Sequence, residues 1–283
     1  MTKKLLLFIK LIRLDKPVGI ILLLWPTTWA LVTASDGNIN FYLAMIFIAG
    51  VITTRSLGCA INDLADRKID GKVKRTAARP LATGELKIND ALKVIFILSI
   101  ISLLLLVLLP IQTWPIAFIA ATLMIIYPFC KRFLSCPQFI LGLSFSTAIL
   151  MVYSAVQNQI IFQAWCLFAS STLWSVIYDT QYALVDREYD LKLGIKSSAI
   201  WFGKYTFSII ALLQALFISL WIYFGIISDY NIWYYSLICM MIFTAYYQHK
   251  LVISGSSTKQ FLAFKNNQWV GLIILLALLS QYL

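Results

Sequence analysis

The chain has few of the residues that catalytic and metal sites of soluble enzymes most often use. His249 is the only histidine among 283 residues, which argues against an imidazole metal site and against a histidine general base. The cysteines are Cys59, Cys130, Cys136, Cys166 and Cys239. None forms a C-x-x-C pair, so we interpret them as small apolar packing residues rather than redox groups or metal ligands.

Charge is also scarce. Charged residues make up 12% of the chain and hydrophobic residues 61%, and the mean hydropathy is +0.84. A soluble domain has about 25% charged and roughly 45–50% apolar residues, so this composition indicates a protein surrounded by lipid. Backbone in hydrocarbon must satisfy its own hydrogen bonds, which helices do and open sheets do not. We therefore predict an all-α integral membrane protein.

Nine apolar runs are long enough to approach the roughly 20 residues that a membrane-spanning helix needs. They cover approximately 17–34, 41–61, 91–109, 114–130, 138–156, 161–182, 205–227, 232–248 and 266–283. Lys10, Arg13 and Lys16 interrupt the apolar residues before the first run, and we expect no cleavable signal peptide. The pattern predicts about nine transmembrane helices in a single domain, 1–283.

The basic residues indicate an orientation. The connections 35–40, 110–113, 157–160 and 228–231 contain no Lys or Arg. Of the 23 basic residues, all except Arg55 precede the first run, lie in the intervening connections or begin the third run. Basic loops stay in the cytoplasm, so we predict a cytoplasmic N-terminus and an extracytoplasmic C-terminus. The net charge of +11 then serves orientation and contact with anionic lipid, and no nucleic-acid partner is expected.

Two acidic stretches repeat each other at an offset of 120 residues. Residues 64–72 (LADRKIDGK) and 184–192 (LVDREYDLK) share Leu, Asp, Arg, Asp and Lys. Four predicted helices separate the copies, so both lie on the same membrane face. This pattern is typical of a parallel internal repeat with a site between its halves.

The repeats place oxygen ligands on helical stripes. Asn62, Asp66 and Asp70 are spaced i, i+4 and i+8, which puts them on one helix face. Asp186 and Asp190 are spaced i and i+4. Like charges at this spacing destabilise a helix, and Mg²⁺ would offset them because it binds carboxylates together with substrate phosphates. We predict that these five residues hold two Mg²⁺ ions and a diphosphate between the repeats.

Nearby cations complete the predicted diphosphate site, because they can bind phosphate oxygens that the metal leaves free. The candidates are Lys72, Arg75, Arg79, Lys131 and Arg132. The structural alternative is that these cations merely pair with the aspartates at the lipid interface. Two matching motifs on one face favour the ligand site.

The motifs resemble those of the UbiA superfamily of intramembrane prenyltransferases. Residues 62–70 have the form N-D-x-x-D-x-x-x-D, and residues 178–190 have the form Y-D-x-x-Y-A-x-x-D-x-x-x-D. Further stretches are similar to those of the 4-hydroxybenzoate polyprenyltransferases in this superfamily: LDKPVG at 14–19, LWPT at 24–27, VKRT at 73–76, RPL at 79–81, YP at 127–128, KR at 131–132, PQ at 137–138 and GIKS at 194–197. The second motif is often followed by another acidic residue, where this chain has Leu191.

The resemblance implies a fold and an activity. Helices would surround a central cavity, with motif-bearing cytoplasmic loops over 62–90 and 179–204. The catalytic residues would be Asp66, Asp70, Asp186 and Asp190. They would act through Mg²⁺ to cleave a polyprenyl diphosphate, and the allylic cation would alkylate 4-hydroxybenzoate ortho to its hydroxyl, an early step of ubiquinone biosynthesis. The expected location is a bacterial inner membrane, or an organelle inner membrane in a eukaryote.

Arg55 is the only basic residue embedded in an apolar run, seven residues before Asn62. A buried arginine needs an anionic or carbonyl partner, and we predict that Arg55 binds the carboxylate of the acceptor; a structural pair is the alternative. Residues expected to assist less directly are Asp63, Tyr127, Tyr178, Asp179 and Tyr182. Candidates to line the isoprenoid path, although packing is their more ordinary role, are Trp25, Trp29, Phe145 and Trp174.

Three alternatives stay open. Relatives that act in menaquinone or haem O synthesis share the aspartates of this superfamily. CDP-alcohol phosphotransferases also use membrane aspartates with Mg²⁺, but the second half of their single signature block is not found after Gly71. A transporter would suit an internal repeat, but these carboxylates lie at one membrane face rather than at its midplane.

The predicted orientation can be tested with reporter fusions. Fusions at residues 36, 112, 158 and 229 should report an extracytoplasmic location, because each lies in a connection without basic residues. A cytoplasmic signal at two or more of these positions would contradict the orientation.

Overall fold

Each of the nine predicted apolar runs forms a long helix in the computed structural model, which describes residues 3–282. In chain order the helices are α1 (Lys3–Leu11), α2 (Val18–Ala34), α3 (Phe41–Asp70), α4 (Ile88–Val107), α5 (Trp114–Cys130), α6 (Pro137–Gln157), α7 (Phe162–Leu193), α8 (Ser198–Trp201), α9 (Thr206–Ile227), α10 (Ile232–Ile253) and α11 (Ser257–Leu279). Only α1 and the four-residue α8 fall outside the predicted runs. No strand occurs in the described residues, which confirms the all-α prediction.

Six segments are long and apolar enough to cross a membrane by length and composition. They are Phe41–Asp70, Ile88–Val107, Ile111–Cys130, Pro137–Gln157, Gly203–Ile227 and Ser257–Leu279. The apolar α2 has 17 residues and is shorter, and the long helices α7 and α10 are not among these six segments. The membrane fold is confirmed. The part of the chain between residues 3 and 282 has nine long helices, and six segments are both long and apolar enough to span.

The two helices that carry the acidic motifs continue beyond their apolar runs. α3 extends to Asp70 and α7 to Leu193, so both motifs are helical throughout. α7 ends where Gly194 adopts a left-handed conformation with φ 67°, and its backbone N–H donates to the Asp190 carbonyl, a common way to end a helix. The predicted i, i+4 stripes therefore exist on real helices.

An indole cluster packs the core between α2, α7 and α9. The ring of Trp29 lies 5.2 Å from those of both Trp174 and Trp221, and all three are almost fully buried. Trp25 instead packs against Gly271 of α11, where a Cβ atom would lie 2.1 Å from the Trp25 ring. Trp25, Trp29 and Trp174 thus pack helices together, which is the more ordinary role expected of them, and they do not line the cavity described below.

Amide side chains form a buried chain where α7, α9, α10 and α11 meet. The Gln248 Oε1 accepts from Gln181 Nε2 at 2.9 Å and from Gln214 Nε2 at 2.8 Å. Its Nε2 donates to Asn266 Oδ1 at 3.0 Å, and Gln181 Oε1 accepts from Asn267 at 2.8 Å. Polar groups inside a membrane bundle need such partners. The network therefore fixes the rotation of α7, the helix of the second motif, against its neighbours.

Replacing Gln248 with leucine tests this network. The Gln248→Leu protein should be less stable by about 1–3 kcal/mol, because buried amides of Gln181 and Gln214 lose their shared acceptor. Thermal unfolding in detergent measures the change. Gln159, exposed in the turn before α7, provides the control Gln159→Leu. Equal unfolding temperatures for the two variants would contradict a stabilising role.

Candidate active site

A cavity of about 1870 Å³ lies inside the bundle, larger than most small-molecule pockets at roughly 300–1,000 Å³. Its polar lining comes from both motifs and the basic connections: Asn62, Asp63, Arg75, Arg79, Lys131, Asp179 and Asp186. Its apolar lining comes mainly from α2 to α6: Leu22, Phe47, Val51, Leu103, Leu106, Phe118, Met124, Phe145 and Met151. One cavity therefore joins a charged region to a long apolar one.

Arg75 connects the basic segment after α3 with the second motif. Its Nε donates to both carboxylate oxygens of Asp186 at 3.1 Å, and Nη2 forms an ion pair with the same carboxylate. The guanidinium carbon lies 4.3 Å from the centroid of the Tyr182 ring, and Nη1 donates to the Tyr182 hydroxyl. Asp186 is thus held by a cation from the other half of the repeat.

Lys131 plays the corresponding part for the first motif. Its Nζ lies 3.5 Å from Asn62 Oδ1 and 3.4 Å from Asp66 Oδ2, so an amide oxygen and a carboxylate oxygen converge on one cation. Asp190 is close enough to Asp66 and Asp186 to interact with their charges. The two motifs therefore belong to one electrostatic site, as their repeat suggested.

Asp63 anchors two basic residues and is only 1% exposed. Arg13 Nη2 donates to its two carboxylate oxygens at 2.8 and 3.1 Å, and Arg79 Nη1 lies 3.0 Å from Asp63 Oδ1. Arg79 also donates to Asp70 at 2.8 and 2.9 Å. Burial lowers the pKa of Arg79, but the charges of Asp63 and Asp70 raise it more, so the net pKa lies above its ordinary value. Asp63 therefore ties the basic segment to α3.

Arg13 is a site residue that sequence reasoning missed. It lines the cavity and has a left-handed backbone with φ 61°, which is unfavourable for a side chain of this size. The ion pair with Asp63, 50 positions away, holds that conformation. A pairing over this distance follows no helical spacing, so no pattern in the sequence signals it.

The predicted basic residues divide into two groups. Arg75, Arg79 and Lys131 line the cavity, whereas Lys72 is exposed and does not. Arg132 also lies outside the lining and donates to the Ala65 carbonyl at 3.3 Å. Cavity-lining cations that were not predicted are Arg13, Lys16, Lys74, Arg187 and Lys265.

Only some of the predicted metal ligands are open to the cavity. Asn62 and Asp186 line the cavity, but Asp66, Asp70 and Asp190 do not. Between residues 3 and 282, no three His, Cys, Asp or Glu side chains converge into a complete metal site. The donors are nevertheless hard oxygens, and Mg²⁺ commonly takes one or two carboxylates and completes its shell with phosphates and water. The residues present therefore fit Mg²⁺ that binds together with a diphosphate.

Arg55 lies in the cavity wall without an acidic partner. Its Nη1 donates to the Cys59 thiol at 3.0 Å, and its guanidinium carbon lies 5.7 Å from the Phe145 ring centroid. The Nε is buried without a hydrogen-bond partner, and no carboxylate among the described residues forms an ion pair with Arg55. Tyr127 and Tyr178 line the cavity beside it. A partly buried guanidinium with no counter-charge and a buried, unpartnered Nε favours a bound anion as its partner.

Sequence comparison identifies related proteins over nearly the whole chain. The UbiA prenyltransferase family matches residues 23–274. A 4-hydroxybenzoate octaprenyltransferase of Coxiella burnetii is 43% identical over 278 residues, which cover 97% of this chain and 96% of that protein. A protein of the same name from Haemophilus ducreyi is 46% identical over 270 residues, which cover 95% of this chain and 98% of that protein.

Structural comparison gives the same fold. A UbiA homolog from Aeropyrum pernix superposes with a TM-score of 0.81 at 20% identity, covering 93% of this chain and 98% of that one. A UbiA homolog from Archaeoglobus fulgidus bound to GPP and Mg²⁺ gives a TM-score of 0.74 at 17% identity, covering 97% of this chain and 99% of that one. At these identities the likeness shows a shared architecture.

The anchoring role of Asp63 predicts a loss of stability. Asp63→Asn should destabilise the protein by up to about 3–5 kcal/mol, because it leaves Arg13 without a buried counter-charge and Arg79 with Asp70 alone. Thermal unfolding is the measurement. Asp229 is exposed with φ 53°, a conformation that asparagine tolerates, so Asp229→Asn is the control. If Asp63→Asn unfolds at the same temperature as Asp229→Asn, the anchor is unimportant.

Proposed function

Because the chain belongs to the UbiA prenyltransferase family, we propose that it transfers a polyprenyl group from polyprenyl diphosphate to 4-hydroxybenzoate. The new bond forms at the ring carbon ortho to the hydroxyl, and diphosphate is released. The observation that carries this proposal is the single cavity that joins both motifs, an unpaired guanidinium and a long apolar wall. Each part suits one portion of the two substrates.

The charged region suits the diphosphate. Asn62, Asp66, Asp70, Asp186 and Asp190 would hold Mg²⁺, which when bound supplies charge stabilisation to the departing diphosphate. Arg75, Arg79 and Lys131 already lie against these ligands and would turn to the phosphate oxygens. Lys72 and Arg132 lie outside the cavity lining. They would contribute only to the longer-range electrostatic attraction of the diphosphate.

The apolar region suits the isoprenoid tail. Three of its lining residues are also half exposed at the outer surface of the bundle. They are Leu103 of α4 (52%) and Phe118 and Ile125 of α5 (56% and 50%). This pattern supports a path that opens towards lipid between α4 and α5, so that a polyprenyl chain can enter from the membrane. Apolar walls, including Phe145, also keep water away from an allylic cation.

The acceptor fits between these regions. Arg55 would bind the carboxylate of 4-hydroxybenzoate, since a guanidinium binds carboxylates with two parallel hydrogen bonds. Tyr127, Tyr178 and Tyr182 line the cavity near Arg55 and the motifs; their ring faces would stabilise a passing cation. Asp179 lies in the same lining and would help to orient the acceptor. Arg55 favours an acidic acceptor over the neutral ones of related pathways.

The proposed setting is a bacterial inner membrane, with one catalytic domain over 1–283. The N-terminus and the motif-bearing connections would lie on the cytoplasmic side, where the basic residues concentrate. A water-soluble acceptor would then reach the site from the cytoplasm, and the prenyl chain from the bilayer.

Metal dependence tests the role of the motifs. EDTA should abolish turnover by the purified protein, and added Mg²⁺ should restore it. Asp66→Ala and Asp190→Ala should each reduce turnover by about 10²–10³-fold, because each removes stabilisation of the leaving charge. Unfolding temperatures serve as the control for folding. Near-normal turnover in either variant would refute its assignment as a metal ligand.

Separate Michaelis constants test Arg55. Arg55→Ala should raise KM for 4-hydroxybenzoate by at least about tenfold and leave KM for the prenyl diphosphate nearly unchanged. Arg55→Lys should rescue only part of the loss, because an ammonium group cannot reproduce the planar fork. An effect confined to the prenyl diphosphate constant would place Arg55 in the diphosphate site instead.

A further inference from the structure

We propose that Lys196 and Gln138 position Lys131 for binding the diphosphate, by holding the connection after α7 against the connection after α5. This inference rests on the proposed function, in which the Lys131 ammonium group turns to the phosphate oxygens. Both positioning residues belong to sequence stretches, GIKS at 194–197 and PQ at 137–138, to which the proposed function gives no role. Neither side chain lines the cavity, so both would act through Lys131 and not on the substrate.

Lys131 lies where the hydrogen bonding of α5 ends. The helix stops at Cys130, and the last carbonyl groups of a helix have no partner within it. The backbone N–H of Lys196 donates to the Lys131 carbonyl at 2.8 Å, and Lys196 Nζ donates to the Phe133 carbonyl at 2.9 Å. A single residue from the connection after α7 therefore holds the turn in which Lys131 lies.

Gln138 provides the buried part of the same contact. It lies in the first turn of α6, and its Oε1 accepts from the backbone N–H of Ser198 at 3.0 Å. The Ser198 hydroxyl in turn lies 2.6 Å from Oγ1 of Thr180 on α7. Both Gln138 and Ser198 are buried. Ser198 is thus fixed by two helices, and Lys196, two residues earlier, is held beside the turn after α5.

This contact connects Lys131 to both motifs. Its Nζ lies 3.4 Å from Oδ2 of Asp66 in the first motif. Its backbone is bound by the connection that continues the second motif, where the Ile195 N–H donates to the Asp190 carbonyl at 2.9 Å. A flexible lysine side chain loses conformational freedom when it binds a ligand, and a fixed backbone reduces that loss. The contact therefore favours binding of a phosphate by Lys131.

The experiment measures the binding of geranylgeranyl diphosphate with Mg²⁺, without an aromatic acceptor, by calorimetry on the full-length protein in lipid nanodiscs. Lys131→Met should weaken binding by about tenfold or more, because it removes a charged donor. Gln138→Leu should weaken it by about fivefold, the effect of one lost hydrogen bond. Gln138→Glu should restore binding, because a carboxyl oxygen again accepts from the Ser198 N–H.

Lys196→Met gives an independent variant at an exposed position, where loss of folding is not expected. It should weaken binding by about two- to fivefold, because Nζ no longer holds the Phe133 carbonyl. Lys204 is exposed in the same connection and lies outside the cavity lining, so Lys204→Met is the matched control and should bind as the wild type does. Unfolding temperatures are measured for every variant.

Repeating the variants in the Lys131→Met protein separates positioning from a general loss of structure. There, Gln138→Leu and Lys196→Met should weaken binding by no more than about a further twofold, because the ammonium group through which they act is absent. Equal weakening in both backgrounds would overturn the inference, as would wild-type binding by Gln138→Leu and Lys196→Met.

The remaining outcomes separate this inference from the proposed function. Unchanged binding by Lys131→Met would overturn both the inference and the role of Lys131 in the diphosphate site. If the expected binding pattern is found but the wild type does not prenylate 4-hydroxybenzoate, the inference stands and the proposed acceptor is wrong.

Discussion

Carboxylates clustered at the ends of membrane helices require compensating positive charge, and the rest of this site is arranged around that requirement. An ionised group at membrane depth costs several kcal/mol unless it is paired. Here Asp186 is paired with Arg75, Asp66 with Lys131, and Asp70 with Arg79. Each cation comes from a connection outside the helix that carries its carboxylate. The connections are therefore held against the motifs by charge.

This arrangement also gives the cations two uses. They neutralise the acidic motifs in this structure, and under the proposed function they would neutralise the phosphates of a metal–diphosphate complex. Asp63 differs from the other carboxylates because it is almost fully buried and bound by two arginines. It would keep the basic segment attached to α3 if Arg75 and Lys131 turned from the aspartates to a diphosphate, as the proposed function requires.

The sequence predicts best those features that depend on a regular spacing of residues along a helix. Nine apolar runs, the helical stripe of Asn62, Asp66 and Asp70, and the repeat that unites both motifs all correspond to structure. It predicts less well where side chains meet across the bundle. Hydropathy does not distinguish a tail-lining indole from one packed in the core, so both roles stayed open for Trp29 and Trp174 until the structure showed them packed.

Contacts between distant residues were beyond prediction for the same reason. Arg13 reaches Asp63 through the turn that joins α1 to α2, and Gly19 meets Arg55 only because α2 packs on α3. Neither pair is separated by a number of residues from which a contact could be predicted. Arg55 was identifiable since a lone cation in an apolar run must have a partner, but its surroundings became visible only in three dimensions.

The most direct test is product analysis with the purified protein in lipid, supplied with a polyprenyl diphosphate, 4-hydroxybenzoate and Mg²⁺. Mass spectrometry and proton NMR should identify 4-hydroxybenzoate prenylated at the carbon ortho to its hydroxyl, with one diphosphate released for each molecule formed. Release of diphosphate without a prenylated acid, or prenylation of neutral phenols in preference to 4-hydroxybenzoate, would contradict a site in which Arg55 presents an acidic acceptor to a diphosphate held between the two motifs.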